Sequence, residues 1–227
     1  QPLQTLQLLN AALARRLAGP GELDLIHRQQ AALESMANLL NALLDITKLE
    51  SGNIRPNLEV VPVADVLADL QQQFEAVATS RNLALTIAPT SLCLRTDRIL
   101  FRQVLQNLLN NALQYTREGG VTVSFGEDAT GFSIRIADTG VGIPAPELDR
   151  VFDEYYRLDA TGPRPRGFGL GLTIVRQISR LLGYTVKVES ELGRGTTFAL
   201  HVPARHLVAT PVAADVQPGP RRARPDV

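Results

Sequence analysis

The stretch that decides the fold is DRILFRQVLQNLLNNALQYT, which runs from Asp97 to Thr116. Its apolar residues recur at steps of three and four, and this period predicts a long helix with one buried face. Two segments of alternating apolar and polar residues follow, Val121–Phe125 and Phe132–Ala137, and the Gly-containing turn between them predicts a β-hairpin. A long helix beside a hairpin indicates helices layered on a sheet.

The segments on either side repeat these two patterns. Further strands are predicted at Leu58–Val63, Leu83–Ala88, Thr185–Val188 and Thr197–Val202, and further helices at Ala64–Ala78 and Leu170–Leu182. Paired strands with helices on one face predict an α+β sandwich with a mixed sheet and three helices. The segment from about Ala145 to Arg166 has few apolar residues, and we expect it to be a mobile lid anchored by Phe152 and Tyr155.

The N-terminal segment has helical periodicity in two runs. The first covers Leu3–Leu17, the second carries Leu33, Met36, Leu40 and Leu43, and Gly19-Pro20-Gly21 separates them. An antiparallel helical hairpin is therefore predicted, which forms a four-helix bundle with a second copy of the chain. The alternative is a hairpin that packs on its own C-terminal domain. The predicted organisation is a hairpin at 1–54, a domain at 55–205, and a flexible tail at 206–227, where Pro, Ala and Arg dominate.

Composition limits the classes of function. The 227 residues are 44% apolar and 20% charged with a formal net charge of zero, so there is no overall field that would attract nucleic acid or a membrane surface. One cysteine, Cys93, excludes an internal disulfide and a Cys-rich zinc site. No apolar run approaches the roughly 18 residues of a membrane span. A reducing cytoplasmic location is expected, and the chain is compatible with being part of a membrane-anchored protein.

Two asparagines on the long helix are candidates for metal binding. Asn107 and Asn111 are four residues apart, so both carboxamides project from one helix face. Their neutral oxygens suit Mg²⁺, which takes hard oxygen ligands and usually binds through one or two protein groups together with substrate phosphates. The spacing alone also fits an ordinary polar helix face.

Two glycine-rich segments are candidates for ligand binding. Asp138-Thr139-Gly140-Val141-Gly142-Ile143-Pro144 ends a predicted strand, where glycines allow the backbone close to a flat ligand and the carboxylate can accept a hydrogen bond from an exocyclic amine. Gly167-Phe168-Gly169-Leu170-Gly171-Leu172 leads into a helix, whose free N–H groups and positive dipole end favour phosphate.

The order of these pieces resembles the catalytic domain of histidine kinases, within the superfamily of gyrase, Hsp90, histidine kinase and MutL ATPases. The similar segments are the N box at Arg102–Ala112, the glycine boxes at Asp138–Gly142, Gly167–Leu172 and Gly193–Phe198, and the F box at Phe152–Arg157. Leu43–Gly52 is similar to the end of the family's second dimerisation helix. Any one box is a weak signal, whereas all of them in this order are a strong one.

The resemblance implies a role for each matched residue. Asn111, helped by Asn107, would hold Mg²⁺, Asp138 would bind the adenine amino group, and Arg157 would reach the terminal phosphate of ATP. Thr196 is similar to a residue that holds a water beside that aspartate, and Tyr115 to an aromatic residue near the sugar and phosphates. The remaining implied nucleotide-binding residues are Gly140, Gly142, Ile143, Arg166, Gly167, Gly169, Leu170, Gly171 and Leu172.

Two departures from the family pattern concern phosphate chemistry. The family often has Lys where this chain has Gln114, and Arg157 or Arg166 would substitute for that cation. Gln1-Pro2-Leu3 resembles the end of the family's H box, which places the phosphate-accepting histidine before residue 1. His27, His201 and His206 lack the H-box context and are expected to be ordinary structural or surface residues.

The resemblance implies an enzyme that moves phosphate from ATP to a histidine and then to an aspartate of a response regulator, acting as a homodimer. A nucleotide-binding module without catalysis, and another ATPase of the superfamily, are the alternatives. Gln114 leaves the first open, while Leu43–Gly52 and the F box argue against the second.

Overall fold

The computed structural model describes residues 54–157 and 169–208, together with ten helical positions between 26 and 49. The predicted first helix and the Gly-Pro-Gly turn lie outside these residues. Of the apolar residues of the second run, Leu33 is buried, Leu43 contacts the core, and Met36 and Leu40 are 54% and 50% exposed. No helix among the described residues has the length and apolar character needed to cross a membrane.

Three helices belong to the C-terminal domain: α1 at Val63–Ser80, α2 at Arg98–Tyr115 and α3 at Gly171–Leu182. Asp97 begins α2, because its Oδ1 accepts hydrogen bonds from the N–H groups of Ile99 and Leu100, both at 3.0 Å. Gly183 ends α3 in the left-handed conformation, with φ 73°. All three predicted helices are present, and their ends differ from prediction by one or two residues.

Among the described residues, eight strands form two sheets. The strands are β1 Glu59–Pro62, β2 Ala84–Ile87, β3 Cys93–Thr96, β4 Gly120–Asp128, β5 Gly131–Asp138, β6 Thr185–Glu191, β7 Gly195–Pro203 and β8 Leu207–Val208. The large sheet has the order β2-β4-β5-β7-β6, and only its β2–β4 pair is parallel. The small sheet has the antiparallel order β1-β3-β8. The predicted α+β architecture with a mixed sheet and three helices is confirmed.

The main core lies between the large sheet and the helices. Alternate side chains of β4, β5 and β7 face inward, as the register shows in the rows Val123–Ile136–Phe198 and Phe125–Ile134–Leu200. Each such large apolar side chain contributes about 1.5–3 kcal/mol when fully buried. The opposite face carries Arg135, Lys187 and Glu189, all exposed, so the helices of the described part of the chain cover one face of this sheet.

Arg81 stabilises the C-terminal end of α2 from outside that helix. Its guanidinium donates hydrogen bonds to the carbonyl oxygens of Leu113 and, at 3.2 Å, of Thr116. The last turn of α2 contains no basic residue of its own. Arg81 therefore supplies the positive charge that the negative end of the helix dipole favours.

The structure differs from the sequence expectations in the small sheet and in the β-hairpin formed by β4 and β5. The predicted tail begins at residue 206, but Ala204–His206 form a 3-10 turn and β8 pairs with β3. Neither β3 nor β8 was predicted. β8 has only two residues, too few to show alternation, and β3, Cys93–Thr96, has a single aliphatic residue, Leu94. The hairpin strands run up to Asp128 and from Gly131, so the connecting turn is shorter than expected.

Candidate functional site

A cleft opens where the end of β5, the C-terminal part of α2 and the lid meet. It is lined by Asn111, Tyr115, Asp138, Val141, Gly142, Ile143, Val151, Tyr156, Arg157, Leu172, Thr196 and Phe198. One end has apolar walls around a single carboxylate. The other end carries an amide and a guanidinium. Such a cleft suits a ligand with a flat, partly polar part and an anionic part.

Asp138 is the polar group at the apolar end of the cleft. Its Oδ1 accepts hydrogen bonds from the backbone N–H of Gly140 at 2.8 Å and of Thr196 at 3.2 Å. Desolvation by burial raises the pKa of Asp138, and the two backbone hydrogen bonds oppose that rise by stabilising the charged form. With Oδ1 held by the protein, Oδ2 can accept a hydrogen bond from a ligand.

Glycines bring the backbone close around this carboxylate. Gly142 has φ 71°, and a Cβ built on it would lie 2.0 Å from the carbonyl oxygen of Glu191. At Gly140 a Cβ would lie 2.6 Å from the carbonyl oxygen of Tyr115. Both positions therefore require glycine, since a side chain would push this loop away from the end of α2 at Gly140 and from the end of β6 at Gly142.

Ser190 is a residue at this site that the sequence analysis missed. Its hydroxyl lies 2.8 Å from the N of Ile143, 2.8 Å from the O of Gly195 and 2.9 Å from Thr196 Oγ1. It thereby connects the loop after β5 to the start of β7. One signal could have revealed it: Ser190 continues the inward positions of Val186 and Val188, where an apolar residue would be expected.

The asparagine pair lies opposite the N-terminus of α3. A Cβ built on Gly171 would lie 3.5 Å from Asn107 Oδ1 and 3.9 Å from Asn111 Oδ1, so both amide oxygens face the first turn of α3. The Nδ2 of Asn107 donates to the O of Gln103 at 3.1 Å, which fixes the orientation of that amide. Two neutral oxygens beside a helix N-terminus are compatible with a magnesium ion shared with phosphates.

The described residues contain no group of three or more His, Cys, Asp or Glu that could hold a metal ion. A metal bound at the asparagine pair would therefore need ligands from the substrate and water in addition to protein oxygens. This limited donor set fits Mg²⁺, which keeps several waters and dehydrates reluctantly.

The start of the lid is attached to the core by Phe152. Its ring packs edge-on against Phe198 at 6.2 Å between centroids, and its carbonyl accepts a hydrogen bond from Thr173 Oγ1 at 3.2 Å. Tyr156 is the second attachment, since its ring packs against the core. Within the lid, its hydroxyl donates to Glu147, and the Arg150 guanidinium lies 4.4 Å from its ring centroid.

The expectation that Tyr155 anchors the lid is wrong. Tyr155 is 58% exposed and has φ 58°, a conformation that turns its side chain outward while Tyr156 packs inward. The backbone of both tyrosines lies against Gly169, where a Cβ would be 2.7 Å from the O of Tyr156. The part of the lid around Tyr155 and Tyr156 thus meets the segment that leads into α3, and residues 158–168 between them lie outside the described part of the chain.

The structure brings most of the predicted site residues together. Seven line the cleft with Asp138: Asn111, Tyr115, Gly142, Ile143, Arg157, Leu172 and Thr196. Gly140, Asn107, Gly171 and Gly169 lie directly beside it, in the contacts described above. Leu170 is buried in the core at the start of α3. Arg166 and Gly167 lie outside the described residues.

Comparisons with known proteins agree with this geometry. Residues 96–206 match the model of the "Histidine kinase-, DNA gyrase B-, and HSP90-like ATPase" family. The chain is 33% identical over 176 residues to the aerobic respiration control sensor protein ArcB of Escherichia coli, covering 75% of this chain and 23% of that protein. It is 31% identical over 182 residues to the autoinducer 2 sensor kinase/phosphatase LuxQ of Vibrio parahaemolyticus, covering 76% of this chain and 21% of that protein. The chain thus spans less than a quarter of the length of these relatives.

Solved structures share the fold. Full-length ShkA in complex with AMPPNP superposes with a TM-score of 0.75 at 24% identity, over 92% of this chain and 44% of that one. The histidine kinase AdeS of Acinetobacter baumannii superposes with a TM-score of 0.67 at 22% identity, over 90% of this chain and 94% of that one. Residues 96–206 therefore form a histidine kinase-, DNA gyrase B- and HSP90-like ATPase domain, the catalytic ATP-binding domain of sensor histidine kinases.

Proposed function

We propose that this chain is the catalytic part of a sensor histidine kinase that transfers the γ-phosphate of ATP to a histidine and then to an aspartate of a response regulator. The observation that carries the proposal is the carboxylate of Asp138, held through Oδ1 by two backbone N–H groups at the apolar end of the cleft. The names of the relatives, which include sensor proteins and a sensor kinase/phosphatase, support it.

ATP would lie along the cleft with its adenine at Asp138 and its phosphates toward the N-terminus of α3. Its adenine would occupy the apolar end, where Asp138 Oδ2 accepts from the amino group and Ile143 and Phe198 form the walls. Its phosphates would then lie toward Asn111 and the N-terminus of α3, whose free N–H groups favour anions. Tyr115 lies on the cleft wall, 46% exposed, in a position to contact the sugar.

Mg²⁺ would bind between the asparagine oxygens and the phosphates. Asn111 and Asn107 both direct their Oδ1 atoms toward the first turn of α3 and would hold the ion, which would supply positive charge to offset the negative charge of the phosphates. Arg157 reaches the same cleft from the lid. Because phosphoryl transfer depends mainly on positioning and charge stabilisation, Arg157 would offset negative charge on the transferred group.

The acceptor would be a histidine of the H box, whose ring nitrogen attacks the γ-phosphorus as the bond to the bridging oxygen breaks and ADP leaves. The described histidines are not in the cleft lining. His201 lies on the outer face of the large sheet near Thr130, at 3.3 Å, and His206 packs against Tyr184. His27 lies outside the described residues.

A homodimer and a response regulator receiver domain are the proposed partners, in a cytoplasmic setting. Met36, Leu40 and Leu44 follow one another at intervals of four in a helical segment, and each is half exposed. An apolar stripe of this kind is typical of a helix that packs against a partner helix. The second copy would cover it as part of a four-helix bundle.

Calorimetric titration with Mg·ATP tests the nucleotide site. We expect binding, and we expect Asp138→Asn to weaken it by about 1–3 kcal/mol, because the amide would present a donor or a mispaired oxygen to the amino group. Glu189→Gln, which changes a carboxylate on the outer face of the sheet, is the matched control. Equal affinity of wild type and Asp138→Asn would remove Asp138 from the base site.

Labelled ATP tests the transfer. The chain alone should acquire no acid-labile phosphate, whereas an H-box-extended copy made inactive by Asn111→Ala should accept it when mixed with the chain. Acid-labile label on His27, His201 or His206 would contradict the assignment of the acceptor.

A further inference from the structure

Ser190 makes three hydrogen bonds on the adenine side of the cleft. Its partners are the N–H of Ile143 and the carbonyl of Gly195, both at 2.8 Å, and the hydroxyl of Thr196 at 2.9 Å. A serine hydroxyl has one hydrogen and two lone pairs. These three partners therefore use its full hydrogen-bonding capacity.

The direction of each bond follows from what its partner can do. The N–H of Ile143 can only donate, and the carbonyl of Gly195 can only accept. Ser190 must therefore give its single hydrogen to Gly195 and accept from Ile143. What remains is one lone pair, so the Thr196 hydroxyl is the donor in the third bond.

This assignment determines what Thr196 presents to a ligand. Its hydrogen is directed toward Ser190, so only oxygen lone pairs remain for the cleft that Thr196 lines. Asp138, whose Oδ1 is bonded to the Thr196 N–H at 3.2 Å, also presents an acceptor there. The base end of the cleft is thus matched to a donor on the ligand and mismatched to a carbonyl.

We propose that Ser190 is a positioning residue that sets the base selectivity of the cleft, by holding the Thr196 hydroxyl as an acceptor that favours a 6-amino purine over a 6-oxo purine. The inference rests on the proposed binding of ATP. Ser190 is not among the residues that line the cleft, and it acts through Thr196, which is.

The test compares the dissociation constants of Mg·ATP and Mg·ITP, which differ in the base at position 6 and the adjoining ring nitrogen. In Ser190→Ala the Thr196 hydrogen is free to turn toward a 6-oxo group, and we expect the preference for ATP to fall by about tenfold, the effect of roughly one hydrogen bond. Ser190→Thr keeps the hydroxyl and should therefore retain the preference for ATP over ITP.

A double variant separates this role from simple support of the loop. Thr196→Val removes the hydroxyl, so adding Ser190→Ala to it should leave the ATP/ITP ratio unchanged. If Ser190→Ala in the wild-type background lowers both affinities by the same factor, Ser190 is only structural and the proposal is overturned.

A milder variant covers the possibility that Ser190→Ala does not fold. Ser190→Cys fills the same space with a weak donor and weak acceptor, and the ATP/ITP ratio should fall to an intermediate value. An unchanged ratio would again overturn the proposal. Failure of the wild-type chain to bind ATP would contradict the proposed function instead.

Discussion

At the scale of single residues, the titration of Asp138 should be visible in nucleotide binding. Burial raises the pKa of Asp138, and the charged form is the one that accepts from an amino group. ATP affinity should therefore be highest above the raised pKa and should decrease as the pH falls through it. This decrease should occur at a higher pH than it would for an aspartate with an ordinary pKa. The contribution of Asp138 to the free energy of unfolding changes with pH in the opposite direction. It is fully present below the ordinary pKa of an aspartate and is lost as the pH rises through the raised pKa of the folded state.

Calorimetry of ATP binding over a series of pH values measures this dependence. Asp138→Asn should bind more weakly and lose the component of the pH profile that belongs to this carboxylate. Identical profiles for the two proteins would show that Asp138 does not titrate at the base.

Most of the candidate site could be predicted from single residues, but its supporting contacts could not. Asp138, Asn107 and Asn111 stand in recognisable motifs, and the fold brings them to one cleft. Ser190 stands in no such motif, and its importance comes from three partners that meet only in the folded sheet. Tyr155 and Tyr156 are equivalent in sequence terms, and only the positive φ of Tyr155 decides which of them packs inward.

At the scale of elements, the N-terminus of α2 should be sensitive to Asp97. This side chain accepts from two N–H groups of the helix and, through Oδ2 at 2.8 Å, from the N–H of Asn57. Asp97→Ala should lower the free energy of unfolding by about 1–2 kcal/mol, as measured by urea denaturation. Asp69→Ala removes the exposed ion pair with Arg98 on a neighbouring helix and should cost about 0–1 kcal/mol. Equal losses would contradict a special role for the cap.

The ends of the lid offer a second comparison at this scale. Gly169 and Gly193 both have positive φ, 72° and 80°, but a Cβ at Gly169 would meet the O of Tyr156 at 2.7 Å, whereas at Gly193 it would meet nothing within 4 Å. Gly169→Ala should therefore weaken ATP binding much more than Gly193→Ala, since both incur backbone strain but only the former separates the lid ends. Calorimetric affinities of the two variants decide, and equal values would exclude a role for this contact.

The three helices and six of the strands could be predicted from the sequence pattern, whereas β3 and β8 could not. The helices and hairpin strands have enough residues for the period of the apolar pattern to appear. β3 pairs with both β1 and β8, and β8 lies more than a hundred residues from β3 along the chain. A contact of that sequence separation leaves no local signal.

At the scale of the whole molecule, the exposed apolar stripe of the N-terminal helical segment predicts association. Changing Met36, Leu40 and Leu44 together to Glu should convert a dimer into a monomer in light scattering, because burial of the stripe is the driving force. Leu192→Glu, at a residue that is 66% exposed in the β6–β7 turn, is the control and should leave the mass unchanged. A triple variant that remains dimeric would place the interface elsewhere.

The small sheet has a consequence for how the domain can be joined to other parts of a protein. The strand by which the chain enters, β1, and the strand by which it leaves, β8, lie on the two sides of β3 and run in the same direction, with Glu59 opposite Thr96 and Val208 opposite Cys93. Two strand spacings, about 10 Å, separate the two ends across the sheet, and three residues of β3, about another 10 Å, separate them along it. The first and last strands of the domain therefore lie near each other in one small sheet. The domain can be inserted between other modules, or circularly permuted by joining those ends, and its cleft stays intact.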